Sequence, residues 1–423
     1  LDIGKANLAK KALKLALDQH PKSTGLKLVQ VEMLVYDDKL DIAEKLLNEL
    51  YAIEPNNEEI YIQKANICSK RDQHEKAVEL LKIALQYTDD YADVYNLIGM
   101  EYLFMDNLEL AKDSFIKCLE EDLEDQSALY NVVYCFEFLD QNQEAIVYLN
   151  DYINRNPYSE IAWHQLGRLH YGIKEYEAAI RAFDYATLID DEFLGAFMEK
   201  AKAYERLKKY NEAIESYNRT IELDDATSYA LLRIGKCYEK LGNLAKAIQY
   251  YNQTVHEDPL LDKGWIAITD FHLRQKNYQK ALFFVNKALA IDNQNRLYWK
   301  RYATINKQMN FFEEAEFGFR KAVEFGDYAL DTWLYWVDIL QFLGEFETAI
   351  QTLLQASEYF PEENEIEYRL AGLYFMIQDN TKAKFHLSNG LRLNFDNYIL
   401  IEDLFPVVWA KKTVKNYIEK HRK

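Results

Sequence analysis

Four cysteines and eight histidines are the side chains best suited to covalent or metal chemistry in this 423-residue chain. Neither group is spaced for it. Cys68, Cys118, Cys135 and Cys237 make no CxxC pair, and no Cys/His cluster has metal-ligand spacing. HExxH and GxSxG are absent, and no Gly-rich phosphate loop is found. Gly235-Lys236 lies inside a helical pattern, where its Gly fills a packing position. His170 and His272 likewise fall on packing positions. Asn218-Arg-Thr220 and Asn252-Gln-Thr254 match the glycosylation triplet by chance, inside helical segments. The expectation is no catalytic residue, no metal and no cofactor. Unpaired thiols point to a reducing compartment and a cytoplasmic location. The chain opens on Leu1, so an earlier N-terminal segment is expected.

Composition narrows the class further. With 50 Lys and Arg against 69 Asp and Glu the net charge is −19, which weighs against general nucleic-acid binding. Gly (14) and Pro (6) together make about 5% of the chain where roughly 12% is usual, too few for the turns of a β protein. No apolar run approaches the roughly 18 residues that span a bilayer, so membrane insertion is not expected.

The elements that would position any binding residue repeat every 34 residues. Alanine recurs at 9, 43, 77, 111, 145, 179, 213, 247, 281, 315, 349 and 383. Four residues later stands a large apolar side chain such as Leu47, Phe115, Phe183 or Tyr251, and seven later usually a small one, as in Ala84, Cys118 and Ala186. These spacings define one face of a helix, the second of each unit. Twelve residues after the Ala come Pro21, Pro55, Pro157, Pro259 and Pro361, or an Asp or Asn such as Asp89, Asp191, Asp225 and Asn293, suited to a turn or to the cap of the next helix. The first helix of each unit carries an aromatic residue sixteen before the Ala (Tyr61, Trp163, Trp265, Trp299), then Gly or Ala (Gly99, Gly167, Gly235, Ala303) and a further aromatic (Tyr102, Tyr204, Tyr238). A large, small, large face admits the partner helix closely over the small residue.

This pattern resembles the tetratricopeptide repeat, above all in the three units from Glu160 to Leu261. Pentatricopeptide arrays look similar, but their unit is one residue longer and would drift out of this register. Weak places are Val133 and Val337 in the small slot and Leu123 and Phe395 in the Pro slot. The resemblance implies an all-α, right-handed superhelical α-solenoid of antiparallel helix pairs. Residues 1–23 would be the second helix of a truncated first repeat, 24–397 eleven contiguous units, and 398–423 C-terminal capping helices. Within that cap Tyr398–Phe405 reads as one helix, and Pro406 starts a final one whose lysines (Lys411, Lys412, Lys415, Lys420, Lys423) suit a polar end face.

The resemblance also implies that first helices line a ligand groove. In the units from Glu160 to about Tyr328 the stripe beside the packed face carries nine basic residues, Arg168, Lys202, Arg206, Lys236, Lys240, Lys263, Arg274, Lys300 and Lys307, against Glu205, Glu239 and Asp270. Arg233 and Arg301 adjoin it. Earlier units are acidic there (Glu32, Glu59, Asp93, Glu137), and residues 1–158 carry 16 basic against 30 acidic side chains. Between the two regions the stripe reads Met100, Leu103, Phe104, Tyr130, Tyr134 and Phe138, either a binding patch or tighter packing between units. The family's carboxylate clamp for chaperone tails is incomplete, because Thr304 and Tyr335 stand where it needs Asn beside Lys300. The expectation is a non-enzymatic protein-interaction scaffold whose groove takes a protein or peptide segment rich in Asp and Glu. A nucleic-acid or ribosome-associated factor using the basic groove and tail is the alternative reading.

Overall fold

A computed structural model describes residues 6–224 and 227–422; Leu1, Asp225 of the turn slot and Lys423 of the basic tail lie outside the described residues. Every regular element among the described residues is helical. Two compact units divide the chain, one up to Arg219 and one from Thr220. The first contains α1 (Ala6–Gln19), α2 (Thr24–Tyr36), α3 (Leu40–Ile53), α4 (Glu58–Lys70), α5 (His74–Ala84), α6 (Tyr91–Phe104), α7 (Leu108–Glu121), α8 (Gln126–Phe138), α9 (Asn142–Arg155), α10 (Glu160–Gly172), α11 (Tyr176–Ile189) and α12 (Leu194–Arg206). The division falls within α13 (Tyr210–Leu223). The second contains α14 (Ser228–Lys240), α15 (Leu244–Glu257), α16 (Asp262–Arg274), α17 (Tyr278–Ile291), α18 (Arg296–Gln308), α19 (Phe312–Glu324), α20 (Leu330–Leu343), α21 (Phe346–Tyr359), α22 (Asn364–Met376) and α23 (Asn380–Leu393). A 3-10 turn at Phe395–Tyr398, α24 (Ile399–Leu404), α25 (Pro406–Trp409) and α26 (Lys412–Lys420) follow. Even-numbered helices from α2 to α22 are the first helices of their pairs, and odd-numbered ones the second. Each unit is an all-α solenoid of such pairs.

The repeated Ala sets the distance between paired helices. From Ala43 to Ala383 all eleven are completely buried. Across from each stands the small slot of the first helix, and there the approach is closest. A Cβ built on Gly99, Gly167 or Gly235 would lie 2.6, 2.5 or 2.6 Å from the ring of Phe115, Phe183 or Tyr251, well inside van der Waals contact. Where the first helix carries Val instead, at Val133 and Val337, the second supplies a smaller partner from the same buried cluster, Leu149 or Leu353. Val31 and Thr269 depart from the slot in the same way, with Leu47 and Val285 four residues after their Ala, so none of the four larger residues shares its pair with an aromatic ring at that position.

Turns join repeats through the aromatic slot. The indole N–H of Trp163 donates to the Pro157 carbonyl at 3.0 Å, Trp265 to Pro259 at 2.9 Å and Trp299 to Asn293 at 2.8 Å, and the Tyr61 hydroxyl donates to the Pro55 carbonyl at 2.9 Å. The helix cap lies two residues beyond this turn slot: Asn57, Asp125, Ser159, Thr227 and Asn295 each accept a backbone N–H of the following helix.

A slot five residues before the repeated Ala takes left-handed backbone in all eleven pairs, with φ between 56° and 79°. It is occupied by Asp38, Asp72, Asp106, Asp140, Lys174, Lys208, Gly242, Lys276, Asn310, Gly344 and Gln378. The next N–H then reaches the carbonyl five residues back, as from Gln73 to Cys68, Lys209 to Tyr204 and Asn277 to His272, each at 2.9 Å. That bond closes the first helix and turns the chain into the second.

The C-terminal helix expected from Pro406 onward is broken at Ala410–Lys411 into α25 and α26. Val408, Val414 and Ile418 are all buried. In an unbroken helix Val414 would sit roughly 240° around the axis from Val408, so the break restores its inward direction.

Gly167→Ala should destabilise the protein by about 1–3 kcal/mol, because the Phe183 ring is enclosed and cannot yield; an unchanged thermal midpoint would contradict the close approach. Lys276→Gly should have the opposite sign. Left-handed backbone costs a non-glycine residue about 1–2 kcal/mol and glycine's extra chain entropy returns about 0.5–1, leaving a gain of about 0.5–1 kcal/mol measurable by chemical denaturation.

Candidate interaction surface

In the first unit the apolar stripe separates into two kinds of residue. Met100 and Leu103 are half-buried against the cluster around Phe115, with the Asn131 amide 3.8 Å from the Met100 sulfur. Phe104 is 59% exposed, Phe138 67%, and Tyr130 and Tyr134 slightly over 40%. Tyr134 and Phe138, one turn apart on α8, hold their ring centroids 4.4 Å apart, and Phe104 of α6 stacks on His74 at 5.2 Å. Phe104 thus packs in part on the preceding repeat, while Tyr134 and Phe138 pack on each other, and all three keep more than 40% of their surface open to solvent.

Two of the carboxylates near this row, Glu59 and Asp93, make no ion pair among the described residues. Burial raises the Glu59 carboxyl above its ordinary range against a hydrogen bond from Gln63, with Glu32 and Glu58 adding like charge. Burial, then Asp90, Asp125 and Asp122, does the same to Asp93. Further along, Arg168 donates to Gln165 at 2.7 Å and lies 3.6 Å from Glu137, while Arg206 donates to the Tyr171 hydroxyl at 3.0 Å. Lys202 is half-buried on α12. His164 Nε2 is 3.2 Å from Glu199 Oε2 but outside hydrogen-bonding geometry, and both atoms are buried without a hydrogen bond.

In the second unit four stripe cations, Arg274, Lys300, Arg301 and Lys307, meet carboxylates of a neighbouring first helix. Arg301 binds Asp270 through two N–H groups at 2.6 and 2.9 Å, and this contact holds its guanidinium above its ordinary value. Lys300 is 2.9 Å from Asp331 and 3.8 Å from Asp327. Lys307 lies 3.9 Å from Asp338 and 4.7 Å from the centre of the Tyr335 ring, and Arg369 reaches the same Asp338 at 2.5 Å. Arg274 pairs with Glu239. Arg233 and Lys236 are half-buried on α14. Lys240 and Lys263 are exposed and make no ion pair among the described residues. The stripe is thus a ladder of ion pairs with free cations at intervals. Asp331 and Asp338, which complete it, sit just past the segment whose charge marked the stripe in the sequence.

The reactive side chains lie elsewhere, in the packing. Burial pushes the Cys135 thiol up to about 11, and burial with the Asp125 carboxylate pushes Cys118 higher, so neither is a thiolate at neutral pH. His170 sits 2.8 Å from Glu175. Among the described residues no His, Cys, Asp and Glu group could hold a metal ion, and no helix is long and apolar enough to cross a membrane.

Models of the tetratricopeptide repeat match residues 34–100, 92–125, 164–226 and 198–261. Anaphase-promoting complex subunit 3 of Schizosaccharomyces pombe is 24% identical over 157 residues, which is 37% of this chain. The match spans about a quarter of that protein, 24% of its length. Solved structures with a similar chain course include the APC/C hetero-tetramer Cut9-Hcn1 (13% identity, 100% of this chain and 88% of that one, TM-score 0.38). Two others are MamA (22%, 41% and 94%, 0.37) and a tetratricopeptide repeat protein from Parabacteroides merdae (14%, 58% and 97%, 0.44).

Replacing Tyr134 and Phe138 together by Ala should leave the unfolding free energy within about 0.5 kcal/mol of the parent, as for other exposed positions. A loss of several kcal/mol would mean that the two rings are part of the core.

Proposed function

The chain belongs to the tetratricopeptide repeat family, and from that premise we propose that it is a non-enzymatic protein-interaction scaffold. Its first-helix faces would take extended or helical segments of partner proteins. The likeness to a subunit of the anaphase-promoting complex supports a place in a protein assembly. For the second unit the ligand is a segment rich in Asp and Glu, and the observation that carries this is the exposure of Lys240 and Lys263 without ion pairs among the described residues. The paired cations add to it. Arg301 and Lys300 hold their carboxylates in fixed positions, so the free lysines are displayed from a rigid frame. Exposed Tyr229, Leu297 and Tyr335 interleave with them and offer contacts for apolar side chains of the same segment. In the first unit the open row of Phe104, Tyr130, Tyr134 and Phe138 would add apolar contact.

Charge at the rim of such a face acts chiefly on association rate. Lys240→Glu, Lys263→Glu and Lys300→Glu combined should slow association of an Asp/Glu-rich peptide about tenfold or more at low salt, with a smaller difference at high salt. Stopped-flow fluorescence measures this, with circular dichroism to verify the fold. Equal rates for parent and variant would remove the acidic-ligand reading. Tighter, salt-sensitive binding of single-stranded RNA than of the peptide would favour a nucleic-acid factor instead.

A further inference from the structure

The geometry points to a second docking site on the second-helix side of the C-terminal unit, a groove between α15 and α17 that takes an apolar side chain of a partner segment flanked by Asp and Glu. The groove has a volume of about 520 Å³ and is lined by Ile248 of α15, His272 at the end of α16, and Lys280, Phe283 and Phe284 of α17. Phe284 forms its base. That ring stacks on His272 at 5.5 Å with an interplanar angle of 5° and on Trp265 at 6.0 Å, so it cannot swing away. Phe283 forms a wall, perpendicular to Phe284 at 5.1 Å and 56% exposed.

Packing does not require Phe283. It stands two residues after the repeated Ala, a slot that in other repeats holds Lys45, Glu79, Asp113, Val147, Arg181, Glu215, Gln249 or Gln351. Only on α17, α19 and α23 is the slot aromatic, with Phe283, Phe317 and Phe385. Phe317 continues the row from Phe283 onto the neighbouring second helix and is itself partly exposed. An aromatic row on a slot that is elsewhere polar, apart from Val147, marks contact with something outside the pair.

Charge selects the occupant. Between Tyr278 and Ile291 α17 contains no Asp or Glu, and its two cations stand at the rim of the groove. Lys280 lines it, and the Lys287 ammonium lies 5.5 Å from the centre of the Phe283 ring. Neither lysine makes an ion pair or a hydrogen bond among the described residues. His272 is held below its ordinary value by burial first and by Lys280 second, with no carboxylate opposing, which keeps the ring neutral at neutral pH and the base of the groove apolar. A basic segment would meet like charge here. A long polyanion would meet the net −19 of the chain, whereas a short acidic segment senses only charges within roughly a Debye length, about 8–10 Å.

The test is fluorescence anisotropy of a short synthetic peptide, with a central Leu–Phe pair between runs of Asp and Glu, titrated with the full chain. Phe283→Ala and Lys280→Glu should each weaken binding about tenfold, typical of an interface anchor and a rim-facing charge pair. Gln351→Ala, the same slot on α21, should not change it, and a peptide with Ser–Ser at the centre should lose the dependence on Phe283. Unchanged affinity in Phe283→Ala, with circular dichroism of the parent, would overturn the site. So would loss of binding confined to the Lys240, Lys263 and Lys300 variant, an outcome that leaves the first-helix reading standing. Sedimentation in which Phe283→Ala dissociates a dimer would assign the groove to a second copy and also overturn it.

Discussion

The contact on which the rest of the structure depends is the crossing of two helix backbones over a small residue. Burying an Ala completely on one helix and setting a Gly or Ala opposite it brings the axes close enough for a single aromatic ring to fill the remaining space. Phe183 over Gly167 and Tyr251 over Gly235 are tight enough that a methyl group would collide. Such a contact has a fixed place on both helices. It therefore fixes the turn between them, and through the turn the length of the unit, since a repeat longer or shorter by one residue would rotate the Ala away from its partner. Val133 with Leu149, and Val337 with Leu353, show that a larger residue is admitted in the small slot where no aromatic ring stands at that position of the second helix.

Buried slots limit residue type, which is why the fold could be read from the chain. Alanine every 34 residues, a large apolar residue four later and an aromatic sixteen before specify helix pairs without further information. The left-handed slot carried no such signal. It places its demand on the backbone, and Asp, Lys, Asn, Gln and Gly all meet that demand at a cost of about 1–2 kcal/mol or less, so the residue varies while the conformation does not. The turn slot was visible through its prolines, but the cap two residues later was not, because Asn57, Asp125, Ser159, Thr227 and Asn295 share a role across three kinds of side chain.

The candidate surface was legible as a set of positions and less so as a set of charges. Helical register placed Phe104, Tyr134 and Phe138 on one face, and they are exposed there. What register alone could not supply is which cations are already occupied. Neighbouring first helices bring together residues 31 apart, one repeat less one helical turn. Arg168 meets Glu137 in this way, Arg301 meets Asp270, Lys300 meets Asp331, Lys307 meets Asp338 and Arg369 meets Asp338. Opposite charges at that separation are a signal that the sequence contains. A count of charges along one stripe passes over it, because each pair joins two slots in different repeats.

These pairs also alter what the charge of the chain means. Solvent-exposed ion pairs contribute little to stability, about 0–1 kcal/mol each, so the ladder matters less as reinforcement than as local neutralisation. It cancels most of the field along the second unit's first helices and leaves isolated lysines whose influence extends about one Debye length. The chain as a whole remains at −19. A ligand long enough to integrate that charge is repelled if it is anionic, and one that covers only a few side chains meets the local sign. Repeating one packing solution many times thus leaves the surface slots free to differ, and discrimination between partners by length and local charge follows from that freedom.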